Sequence, residues 1–499
     1  MNTFKLVAKT LQGLEEVLAK ELTALGASDV EQGRRVVTFT GDKAMMYKAN
    51  FCLRTALRVL KPIKEFEARD ADEVYQAVHE IDWNDYLSLK TSFSVDSVVY
   101  SDDFKHSKFV AYKVKDAIVD FFRERTGQRP NISVSNPDIR LNIHINGTDC
   151  TLSLDSSGES LHKRGYRVAT VESPINEVLA AGMLMMTGWQ GDCDLIDPMC
   201  GSGTIAIEAA LLARNVWPGV FHTDKYAFEN WADFEPELLQ EIYNDDSNER
   251  PFDHKIYARD IDPAAINAAT ANARSAGVAD CIEFAVQPIK LFQQPEQPAI
   301  MVTNPPYGER ISSPNLLDLY RTIGEKLKHQ FVGHDAWIIS YRQEAFDSIG
   351  LKPSLKVPLF NGSLECEFRK YQIFDGKFKA FRSEGGEVKS DDERRRMREM
   401  RPHSLGSRRN EYDRRNEELG DDNDIPEYLR LRHRSFMAEQ RRRERASGER
   451  SAYDRENRPS GRDRKFGGRH SDSRGRDSRH SDREDKKRRL HSRSPWAKD

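Results

Sequence analysis

Asp194-Leu195-Ile196-Asp197-Pro198-Met199-Cys200-Gly201-Ser202-Gly203-Thr204 is the run that decides the fold. Residues 194–197 read as a short apolar strand. Gly201 and Gly203 follow, the residue type that lets a turn adopt unusual φ and lets a ligand approach backbone. The Ile- and Ala-rich stretch 205–213 then reads as a helix, with Thr204 placed to cap it. No Gly-Lys-Ser/Thr closes the turn, so it is not a Walker loop, and it is not a full GxGxxG. A strand, glycine turn and helix in this order make a nucleotide-type cofactor cradle.

The same rhythm continues outward. A helix over 176–188 precedes the run. After it come a strand at 255–258 ending at Asp260, a helix at 263–276, strands at 282–286 and 299–303, a helix at 316–330 and a strand at 336–340. Such a series predicts an α/β fold with a mostly parallel, doubly wound sheet, and ligands beyond the carboxyl ends of its strands. Asp197 is placed near a cofactor's amino group, and Asp260 can accept both ribose hydroxyls. Asp262 is better suited to capping the helix that Pro263 opens.

After the strand at 299–303 comes Asn304-Pro305-Pro306-Tyr307. An exocyclic amino nitrogen is a poor nucleophile because its lone pair is delocalised into the ring. Two acceptors, the Asn304 side-chain oxygen and the Pro305 carbonyl, can hold its hydrogens and aim the lone pair. Pro305 and Pro306 fix φ and lack N–H groups, which pre-aims that carbonyl. Tyr307 offers a face to a flipped base. With the upstream glycine turn, this implies methyl transfer from S-adenosylmethionine to a nucleobase amine, driven by positioning and preorganised polarity. Arg310 follows as either a phosphate or base contact or one half of a structural ion pair.

The first 155 residues alternate short strands and helices without phosphate loops, which fits two small α+β modules. The helix over 108–125 is strongly amphipathic, and Asn146-Gly147 signals a hairpin. Residues 157–167 then mix glycines, basic side chains and a tyrosine. Read as a solvated linker, this segment has no role; read as a track, Lys163, Arg164, Tyr166 and Arg167 position a phosphate backbone. The aromatics between Trp217 and Trp231 read as packing for a subdomain.

Charge is unevenly spread. From Glu384 onward there are 34 Lys and Arg against 26 Asp and Glu, a net of +8, whereas the preceding 383 residues carry 43 against 54, a net of −11. The tail cannot bury enough apolar surface to offset chain entropy and is expected to be disordered. Six cysteines without a CxxC pair or a Cys/His cluster imply a reducing compartment and no structural metal. The N-terminus lacks a signal-peptide core and no run of apolar residues is long enough to span a membrane, so a cytoplasmic location without membrane association is expected.

Three stretches together, Ser153 to Arg167, Asp197 to Thr204 and Thr303 to Arg310, resemble the THUMP-domain RNA guanine-N2 methyltransferases, closest to the bacterial enzymes of 23S ribosomal RNA. The segment Phe228-Glu229-Asn230-Trp231 also fits. The resemblance covers roughly residues 3–383. It implies a ferredoxin-like module (1–60), a THUMP RNA-binding domain (61–155), a linker (156–172), a Rossmann-like methyltransferase domain (173–383) and the charged tail (384–499). By motif position Asp197, Pro198, Cys200, Gly201, Gly203, Thr204 and Asp260 would hold S-adenosylmethionine, and Asn304, Pro305, Pro306 and Tyr307 the target base. The RNA partner would be 23S ribosomal RNA or a large-subunit assembly intermediate. Larger relatives carry a second methyltransferase domain where the tail stands here, so a second activity is not expected. One position departs: the family's acidic residue after the strand 282–286 is Gln287, leaving Gln287 to accept from the adenine. Two other readings compete, an adenine-N6 methyltransferase and a non-catalytic RNA-binding ribosome-assembly protein.

Overall fold

Alternation in β1 (Phe4–Lys9) buries Leu6 and Ala8 completely on one face of the strand. The computed structural model describes residues 3–373 apart from 105, 294, 296 and 309–312. The chain runs on through α1 (Glu15–Ala24), β2 (Ser28–Gly33), β3 (Val36–Gly41), α2 (Lys43–Cys52), β4 (Arg58–Glu67), α3 (Ala71–His79), β5 (Ser92–Tyr100), α4 (Ser107–Thr126), β6 (Asn131–Ile132), β7 (Ile139–Asn146) and β8 (Asp149–Asp155). Asp42 and Asp70 cap α2 and α3 by accepting from Met45 N and from Asp72 and Glu73 N.

The two N-terminal modules share one eight-stranded sheet, ordered β2-β3-β1-β4-β8-β7-β5-β6. β4 is the hinge of this continuity. Its start pairs with β1 (Leu60 opposite Val7), and from Leu60 to Glu67 it pairs with β8. Pro62 cannot donate to a ladder, and the register shifts between Pro62 and Lys64, where a bulge absorbs the missing N–H. The expected boundary at residue 60 therefore falls inside a strand.

The second sheet follows α5 (Glu177–Thr187). Its elements are β9 (Asp194–Asp197), α6 (Thr204–Ala213), α7 (Pro236–Tyr243), β10 (Ile256–Asp260), α8 (Pro263–Ser275), β11 (Ile282–Val286), β12 (Ala299–Thr303), α9 (Ser313–Gln330), β13 (Asp335–Ser340), α10 (Gln343–Ile349), β14 (Leu355–Asn361) and β15 (Leu364–Gln372). The order is β11-β10-β9-β12-β13-β15-β14. β9 pairs in parallel with both β10 and β12, so the chain reverses its direction of travel across the sheet there. A crevice opens at such a switch point. Every residue of β9, β12 and α6 is buried, as central parallel elements require. The antiparallel β14–β15 hairpin completes the sheet and was not anticipated, although Asn361-Gly362 at its turn is the ordinary hairpin signal.

The segment between α6 and β10 packs away from this sheet. Phe228, Trp231 and Ile242 lie in the core of the N-terminal sheet rather than in that of the domain they belong to. Phe228 stacks on Tyr47 at 4.2 Å and 13°, and Lys43 binds Glu235 at 2.7 Å. Such a ring pair contributes about 0.5–1.5 kcal/mol beyond its burial. The aromatics expected to pack a subdomain thus strap the two halves together. No helix among the described residues is long and apolar enough to cross a membrane.

Candidate active site

Asp197 closes β9 and is 1% exposed. Its Oδ1 accepts from Thr303 Oγ1 at 2.9 Å, which ties β9 to β12 directly above the crevice. Burial pushes its carboxyl up to about 7, and the neighbouring Asp260 charge adds to the rise. The turn beyond is locked by backbone: Cys200 N donates to Arg259 O and Gly203 N to Cys200 O, each at 2.8 Å. Gly201 and Gly203 both sit at positive φ, +53° and +84°. A Cβ on Gly203 would come within 2.9 Å of Ala269 Cβ, so only glycine lets α8 approach this closely. Gly203 itself is the N-cap of α6; Thr204, expected to cap, is the first helical residue.

Asp260 ends β10 half-buried. Its Oδ2 accepts from Gly201 N at 2.9 Å and its Oδ1 from Asp262 N at 3.0 Å, so it shapes the glycine turn while keeping lone pairs toward the cavity. Asp262 caps α8 by accepting from Ala264 N at 2.8 Å, as its place before Pro263 suggested. Gln287 is a correction. Its amide donates to Leu291 O at 3.3 Å and lines a separate depression with Tyr257, Arg259 and Phe292. The short turn Ile289–Leu291 that follows Pro288 presents the carbonyl that captures it. The cavity wall at this point is Pro288, Ile289 and Lys290.

Across the crevice, Asn304 follows β12, with Pro305 buried and Pro306 exposed. The Tyr307 hydroxyl donates to Asn304 Oδ1 at 2.6 Å and accepts from Asn361 Nδ2 at 3.4 Å. Tyr341 packs against Tyr307 nearly perpendicularly, at 5.3 Å and 87°. Burial raises the Tyr307 phenol, so it stays a protonated donor. The ring expected to present a free stacking face is thus held by its hydroxyl to the asparagine. Arg310 lies outside the described residues.

A cavity of about 800 Å³ joins these parts. Asp197, Pro198, Cys200, Gly201, Thr204 and Asp260 line one side; Asn304, Pro305, Pro306 and Tyr307 line the other, with Asn361 and Leu364 from the hairpin. Gly203 shapes the turn without lining the cavity. Sequence reading missed Asn361 and the wall made by 171–175.

The basic track is the main correction. Arg164 and Tyr166 are 3% and 1% exposed. Arg164 donates to Leu161 O and to Arg54 O, and its Nε lies 3.5 Å from Glu208, which also accepts from the Tyr166 hydroxyl at 2.9 Å. A phosphate cannot reach either side chain, because both are buried in the interior against Glu208. A Cβ on the intervening Gly165 would lie 1.9 Å from Phe221 O, which seals the segment inward. Arg167 donates to Glu177 Oε1 (2.8 Å), Ser202 Oγ (2.9 Å) and Thr204 Oγ1 (3.0 Å). The fully buried Asn272 accepts from Val168 and Ala169 N and donates to Ser202 O at 3.0 Å. The linker therefore braces the glycine turn. Of the four track residues only Lys163 is exposed, paired with Glu159 at 3.3 Å.

A glycine turn at a parallel switch point, facing an Asn-Pro-Pro-Tyr loop across one cavity, is the architecture of a methyltransferase. Residues 164–370 match the RMKL-like methyltransferase domain, 68–155 the THUMP domain and 5–60 the RlmL ferredoxin-like domain. The chain is 36% identical over 370 residues to the "Putative RNA methyltransferase slr0064" of Synechocystis sp., covering 74% of this chain and 96% of that protein. It is 38% identical over 388 residues to the "Ribosomal RNA large subunit methyltransferase K/L" of Syntrophotalea carbinolica, covering 75% of this chain and 54% of that one. It thus spans about half the length of the K/L relatives it matches. The solved structure of SMU.472, "a putative methyltransferase complexed with SAH", superposes with a TM-score of 0.68 at 29% identity, over 76% of this chain and 100% of that chain. The chain belongs to the RMKL-like methyltransferase family, with a ferredoxin-like and a THUMP domain ahead of its catalytic fold.

Proposed function

We propose that the protein transfers a methyl group from S-adenosylmethionine to the exocyclic N2 amine of a guanine in RNA, with 23S ribosomal RNA or a large-subunit assembly intermediate as substrate, in the cytoplasm. The observation that carries this reading is that Asn304 and Asp260, on opposite walls, open into the same cavity. The residues suit the cofactor: Gly201, at positive φ, brings backbone to the cavity wall, and glycine at 203 lets α8 pack closely behind the turn. Asp260 retains lone pairs for two ribose hydroxyls. Pro288, Ile289 and Lys290 line the cavity where the adenine would be held, with Gln287 turned to a separate depression.

S-adenosylmethionine supplies an electrophilic methyl group on a sulfonium, which becomes a neutral thioether as the new N–C bond forms. The chain's task is orientation. Asn304 Oδ1 accepts one amine hydrogen and the Pro305 carbonyl the other, which turns the nitrogen lone pair toward the methyl group. The Tyr307 hydroxyl fixes which end of the Asn304 amide faces the base. After transfer the nitrogen loses a proton to solvent, so no strong base is required.

The THUMP match and the rRNA-methyltransferase relatives favour RNA over DNA, and the intact Asp, Gly, Asn, Pro and Tyr set favours an enzyme over a binding protein. Mass spectrometry of ribosomal RNA nucleosides from a deletion strain tests all readings. Lost N2-methylguanosine is expected. Lost N6-methyladenosine would move the target to adenine, and no change would leave an assembly factor.

A further inference from the structure

The first 383 residues carry 54 acidic and 43 basic side chains, so a body that handles RNA must concentrate its cations somewhere. α4 and the turn after it do so: residues 107–129 hold six Lys and Arg against three Asp and Glu. On the first half of α4, Phe109 and Tyr112 are 52% and 58% exposed. They lie one turn apart, so their rings share one stripe of the helix. Lys113 Nζ lies 5.7 Å from the Phe109 ring and Lys115 Nζ 5.8 Å from the Tyr112 ring. Lys113, Lys115, Arg123 and Arg129 line a polar cavity of about 410 Å³ together with Asp116 and Asp120, and Arg123 pairs with Asp120 at 2.9 Å. Lys113 and Lys115 are partly neutralised by Asp72 and Asp116. Lys108 and Arg129 are exposed and have no ion pair among the described residues.

Neither ring fills a core: both are more than half exposed, each with one ammonium near a face. Aromatic faces alternating with ammonium groups match the alternation of bases and phosphates along a single strand. A protein partner would instead require a contiguous apolar patch with few cations at its centre. We propose that the first half of α4 and the adjoining cavity hold a single-stranded segment of the RNA substrate. Phe109 and Tyr112 stack on bases, and Lys108, Lys113, Lys115 and Arg129 face phosphates. This rests on RNA being the substrate and adds where it is gripped.

The test uses the full chain and a labelled single-stranded RNA of about 12 nucleotides, beside a duplex of the same sequence, read by fluorescence anisotropy. Phe109→Ala with Tyr112→Ala should weaken single-strand binding about tenfold or more and change duplex binding little. Lys108→Gln with Arg129→Gln should flatten the dependence of log K on log salt by about one unit. All four side chains are exposed, so melting temperature and cofactor affinity should not move. Unchanged single-strand affinity in the aromatic variant overturns the inference, as does an equal loss on duplex. Methyl transfer to unmodified ribosomal RNA is followed in parallel. A wild type that binds but never methylates overturns the proposed reaction alone, whereas methylation with an unchanged RNA KM in the aromatic variant overturns this site alone.

Discussion

The Tyr307 hydroxyl lies 2.6 Å from Asn304 Oδ1, which occupies one lone pair of the amide oxygen and leaves the other for the amine of the proposed reaction. The contact also decides the orientation of the amide, since only its oxygen can accept from a phenol. Asn304→Ala should leave cofactor binding nearly intact and lower the methylation rate by about a hundredfold or more, as loss of a preorganised polar group does. Tyr307→Phe should lower it by roughly threefold to tenfold, the effect of a single neutral hydrogen bond. Single-turnover methylation beside calorimetry of cofactor binding separates the two steps. A Tyr307→Phe enzyme as slow as Asn304→Ala would show that the phenol does more than orient the amide.

Asp260→Ala should weaken S-adenosylmethionine binding by about 1–3 kcal/mol, the range for charged hydrogen bonds. The same substitution frees Gly201 N, so Asp260→Asn is the necessary companion, because it keeps an acceptor for the turn. Calorimetry on both variants decides the matter. Unimpaired binding in each would move the ribose contact elsewhere, first to Asp262, which lines the same cavity and commits only its Oδ1 to the α8 cap.

Arg167 bridges Glu177 and the hydroxyls of Ser202 and Thr204. Arg167→Met should raise the KM for cofactor more than it lowers kcat, since the turn loosens while the Asn304 loop is untouched. Arg167→Lys should restore part of the loss, because an ammonium still reaches Glu177 but cannot fork to both hydroxyls. If RNA KM rose while cofactor KM held steady, a direct phosphate contact would replace the bracing role.

Asp197 provides a pH signature. Its carboxyl is raised by burial from 3.8 to about 7 in the folded protein. Between those values the folded state binds more protons than the unfolded one, so stability falls as pH rises, at up to about 1.4 kcal/mol per unit. The loss is complete above about pH 7. Asp197→Asn keeps an acceptor for Thr303 and should remove this slope. The wild-type melting temperature should fall relative to that of Asp197→Asn as pH rises across that window; parallel curves would mean that the carboxyl is ionised throughout.

Removal of residues 1–155 should yield an insoluble or unfolded remainder rather than a free-standing catalytic domain. Phe228, Trp231 and Ile242 would lose the core they complete, and Arg164 and Glu208 would lose Arg54. Circular dichroism and size-exclusion chromatography check this. Removal of 384–499 should preserve the melting temperature and the modified nucleotide, lowering RNA affinity most at low salt.

The parallel sheet and the two loops at the carboxyl ends of its strands were legible because each rests on short-range signals: an apolar strand, a glycine pair, prolines after Asn304, a capping Asp before Pro263. Those signals work within a turn or two of chain and need no knowledge of partners. The β14–β15 hairpin was equally written, in Asn361-Gly362, but its consequence was not, since Asn361 reaches Tyr307 across 54 residues.

By itself, then, the sequence determined the class of sheet, the position of the cavity and the Asn-Pro-Pro-Tyr loop that faces it. Tertiary structure alone decided what the charged and aromatic linker does. Arg164, Tyr166 and Arg167 look solvated in composition, yet their partners Arg54, Glu208 and Ser202 lie 110, 42 and 35 residues away. A cation's role depends on whether folding brings it a buried acceptor, and desolvation makes that outcome all or nothing. The same holds for Gln287, captured by Leu291, and for Phe228, which serves the core of the other sheet. No local pattern records a partner supplied by a distant strand.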